Sequence, residues 1–365
     1  MARKLKSDRI LFTAAVLLVC VSVVMVYSAS AALAFDRFGQ AYMFLTRQAM
    51  WTALGLVALA VAMRIDYRTY RNETFIWSLT GAVCVLLVLV LFSEPVNGAR
   101  RWFNIGGLGI QPSEFAKIAA VLFTALMLER RMHRIDELSY SLLPIAIVVG
   151  AMSGLILLEP DLGTAVSLLM IVGMMVFAAG LNYRYLVGTA IAAVPILYLL
   201  VASSPYRLRR LLAFLNPEAD PLGDGFQVMQ SLIAVGTGGV FGRGLMGGVQ
   251  KLFFLPEPHT DFIYAVIGEE LGLLGTTTVL VCFCVIAWRG VRIAMRAHDA
   301  FGSFLALGFT AMIAVQALVN ISVVLGLLPT KGIPLPLVSS GGSSLLISLA
   351  GIGVLLNVSQ HEETS

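Results

Sequence analysis

Charge is scarce in this chain: Asp, Glu, Lys and Arg make up 13% of its 365 residues, about half the share of an average soluble domain. Cysteine and histidine are scarcer, with four of each. Cys20, Cys84, Cys282 and Cys284 all fall inside apolar stretches, and none has disulfide or zinc-finger spacing. Two apart on a helix, Cys282 and Cys284 point about 200° from each other. A disulfide scaffold and a structural zinc site are thereby excluded. No glycine-rich loop of the Walker or dinucleotide type occurs, so no nucleotide cofactor is expected. The net charge of +4 reflects loop bias, described below, and gives no reason to expect a nucleic acid partner.

What the chain has in abundance is apolar sequence, at 58% of residues and a mean hydropathy of +0.88. Runs of roughly 20 apolar residues cross a bilayer as helices, which satisfy their own backbone bonds in lipid. About ten such runs centre near 11–34, 50–63, 75–92, 115–128, 142–158, 165–180, 185–202, 262–288, 301–325 and 343–357. The expected fold is one all-α integral membrane domain over 1–365, with a long loop at 203–261 between spans seven and eight. Residues Tyr27–Ala34 imitate a signal-peptidase site, but the apolar run before them is long for a signal peptide and many spans follow. An uncleaved first helix is expected.

Lys and Arg placement sets the orientation. The amino-terminal tail carries Arg3, Lys4, Lys6 and Arg9. Short loops after spans two, four and eight carry Arg64, Arg68 and Arg71; Arg130, Arg131 and Arg134; and Arg289, Arg292 and Arg296. Both termini are therefore expected in the cytoplasm. The opposite loops hold the chemical variety: Asn97–Trp102, Gln111–Lys117, Glu159–Thr164, the 203–261 segment and Leu328–Pro336. Loops concentrate function on a rigid scaffold, so the working face is expected outside the membrane, where no ATP or sugar nucleotide is available. A bond-forming reaction there needs a substrate already activated, most simply on a lipid carrier.

Asp261 stands out among those residues. It ends Leu255-Pro256-Glu257-Pro258-His259-Thr260-Asp261 and enters an apolar span, where a carboxylate is costly and reads as functional. If it opens the eighth helix, Ala265 and Gly268 share its face and leave room for a ligand, Glu269 lies about 80° around, and Glu270 points away. The competing role is an N-terminal cap. His259 could orient a substrate or serve the loop structurally. Glu114 and Lys117, spaced i, i+3, suit an ion pair, either structural or catalytic. Glu159 and Asp161 flank Pro160, where turn and capping roles compete. In Tyr206–Leu215, Leu208, Leu211, Leu212 and Leu215 form one face with Arg207 and Arg210 off it. That pattern suits a helix lying in the membrane interface with arginines toward headgroups or phosphates, and equally a helix packed on the bundle.

The run Lys251–Gly272, together with Asn97–Trp102, Gln111–Lys117, Leu328–Pro336 and Val338–Ser344, resembles the SEDS family, the FtsW/RodA/SpoVE peptidoglycan polymerases. The similarity covers essentially the whole chain. Pro329-Thr330-Lys331-Gly332 and Gln230–Ala234 resemble the division branch more than the elongation branch. Ser340 departs from the pattern, which has tyrosine before the paired glycines. The resemblance implies a ten-span inverting glycosyltransferase acting on lipid II, with Asp261 matching the essential aspartate. Asp261 would take the proton from the acceptor hydroxyl as undecaprenyl diphosphate leaves. Arg101, Lys117, Arg207, Arg210, Arg243 and Lys251 are then candidates for the diphosphate, with Glu114 and His259 also in the substrate site. Family analogy adds a divalent cation, Mg²⁺ or Mn²⁺, although the sequence offers no carboxylate cage for one. It also adds a class B penicillin-binding protein and other divisome proteins as partners, within a bacterial cytoplasmic membrane. A lipid II flippase and a noncatalytic division scaffold are the alternative readings.

Overall fold

A computed structural model describes residues 7–95, 99–105, 108–135, 137–219, 223, 225–252 and 254–361. Arg3, Lys4 and Lys6 of the basic tail, Asn97 and Gly98, the turn residues 220–222 and 224, and Phe253 lie outside the described residues.

The fold of the described residues is mostly helical, as the composition requires. Its helices are α1 (Arg9–Phe38), α2 (Met43–Arg64), α3 (Glu73–Val90), α4 (Pro112–Arg131), the single turn α5 (Leu138–Ser141), α6 (Leu143–Leu158), α7 (Leu162–Ala178), α8 (Tyr183–Ala202), α9 (Pro205–Leu215), α10 (Phe226–Gly238), α11 (Ile263–Arg296), α12 (Ala300–Val324) and α13 (Gly342–Gln360). Seven of these are long and apolar enough to span a membrane: α1, α2, α3, α8, α11, α12 and α13. α6 and α7 are apolar but shorter, and α4 carries Glu114 and Lys117 in its first turns. Together these ten coincide with the ten expected spans. The chain is a multi-pass membrane protein.

The centre of the bundle is built from α4, α12 and α13, which bury residues on every side. α13 packs along α2, α11 along α12 and α1, and α7 against α12. α8 is different: it packs on α7 and α9 and leaves Ile191, Val194, Tyr198 and Leu199 exposed. One small element has no signal in hydropathy. Phe103–Ile105 (β1) and Leu108–Ile110 (β2) pair antiparallel as a hairpin before α4.

Contacts sort the loops into two opposite ends. At one end, Asp8 accepts from Arg289 and its backbone N–H donates to Ser359, so the two termini meet. The same end holds Arg71 paired with Glu129 and Arg130 with Glu73. These are the basic loops. At the other end Arg101 reaches the carbonyls of Glu159 and Pro160, and Arg210 reaches Thr330. These are the loops of varied chemistry.

Helix α11 is broken. Gly272 has φ 67° and ψ −160°, a left-handed conformation that glycine adopts without cost. A Cβ there would collide with the Gly242 nitrogen and the Val240 carbonyl. Segment 239–244 takes up the backbone groups freed by the break. Arg243 and Gly244 N–H groups donate to the Glu269 and Glu270 carbonyls at 2.9 and 3.0 Å, and Leu273 N–H donates to Gly239 at 2.9 Å. Irregular backbone within a membrane domain is tolerated where protein satisfies it in this way.

Candidate active site

Asp261 lies in the turn just before α11, whose first helical residue is Ile263 with Phe262 at the cap position. It therefore precedes the helix rather than opening it. Its carboxylate is half-buried and makes no hydrogen bond with any described residue. Its backbone is fixed: Asn320 of α12 donates to the Asp261 carbonyl at 2.9 Å and to the Ile333 carbonyl at 2.8 Å. Ser339 extends the stitch, donating to the Thr260 carbonyl at 2.5 Å and accepting from Leu335 N–H at 2.8 Å. Ser340, at the position where the sequence departs from the family pattern, donates its N–H to the His259 carbonyl at 2.9 Å. The 256–262 and 330–341 loops thus form one unit, with Gly332 so close that a Cβ on it would lie 3.3 Å from Asp261 Oδ2.

Burial raises the Asp261 pKa to about 7, and the Glu257 carboxylate pushes it the same way, while Arg210 and Arg101 pull it down. A carboxylate poised there matches the requirement for a general base near neutral pH. Glu159, just past α6, is fully buried with both carboxylate oxygens unpartnered among the described residues. Burial, then Asp161, raises its pKa to about 8. Asp161 caps α7 through the Thr164 N–H at 3.1 Å and faces Arg101 at 3.8 Å.

The other expected site residues divide clearly. Arg101 and Arg210 are electrostatic neighbours of Asp261. Arg210 also lies 4.5 Å over the Tyr206 ring. Arg207 turns back to the Leu200 carbonyl at 3.0 Å, and both arginines are half-buried while Leu208, Leu212 and Leu215 are exposed. The leucine face of α9 thus points away from the protein. Glu114 and Lys117 are buried in the bundle, paired at 2.8 Å, with Lys117 also donating to Gln316 at 2.7 Å. Gln316 donates onward to the Pro334 carbonyl at 3.0 Å, so the pair supports the 330–341 loop from below. His259 is buried against Phe44, and burial, followed by Arg37, lowers its pKa to about 4.

Arg243 and Lys251 are committed elsewhere. Lys251 pairs with Glu270 at 2.6 Å beside Ser28 of α1, and Arg243 faces Glu269 at 3.4 Å. Glu269 also accepts from Val249 N–H at 2.8 Å, and Glu270 from Met246 N–H at 3.0 Å. Both glutamates are buried fastenings for segment 243–251. Gly268 does not make room for a ligand: a Cβ on Gly238 would collide with the Gly268 carbonyl, which marks a tight crossing of α10 and α11.

Three contributors escaped the sequence reading: Asn320, Gln316 and Lys331. Asn320 and Gln316 are polar residues four apart in an apolar span, a pattern that puts both on one helix face and flags function within a membrane. No three His, Cys, Asp or Glu side chains among the described residues converge as a metal site.

The family described as Cell cycle protein, covering FtsW, RodA and SpoVE, matches residues 8–364. The chain belongs to the FtsW/RodA/SpoVE family. Within the family it is 45% identical over 356 residues to the probable peptidoglycan glycosyltransferase FtsW of Geobacter metallireducens, covering 96% of this chain and 94% of that one. It is 42% identical over 364 residues to the stage V sporulation protein E of Bacillus subtilis, covering 98% of each. Solved family structures superpose over its length. A chain of a peptidoglycan synthase complex that coordinates polymerization and crosslinking matches with a TM-score of 0.80 at 33% identity, covering 99% of this chain and 100% of that one. The rod shape determining protein RodA of Thermus thermophilus matches with a TM-score of 0.73 at 30% identity, covering 99% of both.

Proposed function

We infer that this family member is a peptidoglycan glycosyltransferase of the FtsW branch, an enzyme of wall synthesis in cell division. We propose that its substrate is lipid II, polymerised on the outer face of the bacterial cytoplasmic membrane with both termini inside. The basic loops then face the cytoplasm, in accord with the positive-inside rule. The exposed leucines of α9 would rest in the outer interface.

One observation carries the mechanism: the half-buried Asp261 carboxylate has no hydrogen-bond partner among the described residues, and its pKa is raised to about 7. As general base it would take the proton from the acceptor sugar hydroxyl, whose oxygen attacks the anomeric carbon of the lipid-linked donor. The C–O bond to the diphosphate breaks and its electron pair leaves with the phosphate. Such a leaving group needs charge neutralisation rather than protonation, so a single carboxylate suffices where glycoside hydrolysis uses two. Asn320 would hold the base in place through its carbonyl. A divalent cation would have to come with the diphosphate: the described residues offer too few side chains to cage one, and Mg²⁺ binds by one or two carboxylates plus substrate phosphates. A class B penicillin-binding protein is the partner this reading expects, alongside other division proteins; the likeness to a subunit of a synthase complex supports it.

The test is purified protein, with and without its transpeptidase partner, given labelled lipid II. Wild type should build glycan ladders, and Asp261→Ala should build none while folding and binding its partner normally. Ladders from the variant would remove Asp261 as the base. Lipid translocation in liposomes without polymer would replace the enzyme with a transporter.

A further inference from the structure

Arg101 and Arg210 act on the Asp261 charge at the loop end of the bundle, and both already hold the protein together; a third cation, Lys331, lies on the loop that meets Asp261 through Gly332. Arg101 spends its guanidinium on the Glu159 and Pro160 carbonyls, at 3.1 and 2.6 Å, and on Asp161. Arg210 is tied to the Thr330 carbonyl at 3.2 Å and lies over Tyr206. Lys331 is different. Its backbone carbonyl accepts from Ile333 N–H, but its ammonium makes no hydrogen bond or close ion pair with any described residue. Its stem lies across the first turn of α7, where a Cβ on Gly163 would be 3.4 Å from Lys331 Cδ. The next residue, Gly332, abuts the Asp261 carboxylate.

An ammonium that is partly buried and carries three unused donors is costly. Burial lowers the pKa of Lys331, and Asp161 offsets this only in part. An arriving anion would reverse that cost. Lysine serves phosphate as a point charge, and this one stands one residue from the glycine that abuts the Asp261 carboxylate.

We propose that Lys331 binds the diphosphate of the polyprenyl-linked donor and neutralises it as it leaves. This rests on the glycosyltransferase reading for the identity of the donor. In the transfer, Asp261 receives the acceptor hydroxyl proton. The new bond forms from that oxygen to the anomeric carbon, and the departing diphosphate oxygen keeps the electron pair against the Lys331 ammonium. No proton passes from Lys331. Asp161 is the anion that the diphosphate displaces from first claim on this charge.

The test measures undecaprenyl diphosphate and undecaprenol binding to the full chain with its partner in nanodiscs, for wild type, Lys331→Gln, Lys331→Arg and Asp261→Asn. Lys331→Gln should bind the diphosphate about tenfold or more weakly, with undecaprenol binding and thermal unfolding unchanged. Lys331→Arg should recover much of the loss, and Asp261→Asn should keep diphosphate affinity while losing polymerisation. Wild-type diphosphate affinity in Lys331→Gln would overturn the proposal. So would an equal loss for undecaprenol, which would signal a damaged lipid site. Should wild type bind diphosphate through Lys331 yet build no glycan, the glycosyltransferase reading falls and the binding site stands. Should it polymerise while Lys331→Gln binds normally, only this proposal falls.

Discussion

Asn320 donates its side-chain amide to the backbone carbonyl of Asp261 at 2.9 Å, reaching from one helix to the loop that begins another. The same nitrogen holds the Ile333 carbonyl. One buried side chain therefore sets the spacing between the candidate base and the loop that carries Lys331. Asn320→Ala would leave two carbonyls short of a donor, a loss of about 1–3 kcal/mol where they are buried. The expected result is a fall in kcat of about tenfold or more, with KM for lipid II little changed. Steady-state polymerisation kinetics would check it, and an unaltered kcat would show that the loops hold their spacing without this amide.

Asp261 sets the pH dependence. With a pKa near 7, the ionised base grows with pH, so kcat/KM should rise through pH 6 to 7 and level off above. Glu257→Gln removes a charge that raises this pKa, so the rising limb should move to lower pH. His259 is neutral across this range because its pKa is held near 4 and should add no limb. A profile that is flat from pH 5 to 8 would contradict this assignment.

Glu159 should register in stability. Its folded pKa of about 8 lies above its ordinary value of 4.5, so the folded state holds a proton that the unfolded state releases. Stability is then lost as pH rises from about 4.5 to about 8 and is constant beyond. Glu159→Gln keeps the shape and stays neutral, so its thermal unfolding temperature should exceed that of wild type at pH 9 and match it at about pH 4. Parallel unfolding curves at both pH values would contradict the protonated state.

Glu270 and Lys251 form a buried pair. Glu270→Gln strands the lysine charge and should cost about 3–5 kcal/mol. Adding Lys251→Met should restore much of it, since an apolar pair can replace a buried ionic one. A double-mutant cycle on unfolding measures the coupling; additive losses would mean that the two charges are independent.

The ten spans were legible because a bilayer imposes a length of apolar sequence that the chain displays openly. Asp261 was legible for the same reason, as an acid at the end of such a run. The break at Gly272 was not. Hydropathy continues through it, and only the approach of Val240 and Gly242, distant in sequence, explains why the helix stops. The partners of Glu269 and Glu270 lie on segment 243–251, which helical periodicity alone does not bring near. Arg243 and Lys251 looked like phosphate ligands because sequence shows a cation but not the carboxylate that already holds it. The fastening by Asn320 and Gln316 was half visible, as two polar residues a turn apart in an apolar span; what they touch depends on loops that only the folded chain brings near.

The short helical piece between Phe262 and the Gly272 break has no slack. At its outer end lies the base, and at its inner end sit two glutamates clamped to the neighbouring loop. Adding or deleting a single residue between them would rotate one end against the other by about 100°, turning either the carboxylate or its anchors out of place. This stretch, buried from Ile263 to Glu270, should therefore reject any change in its number of residues.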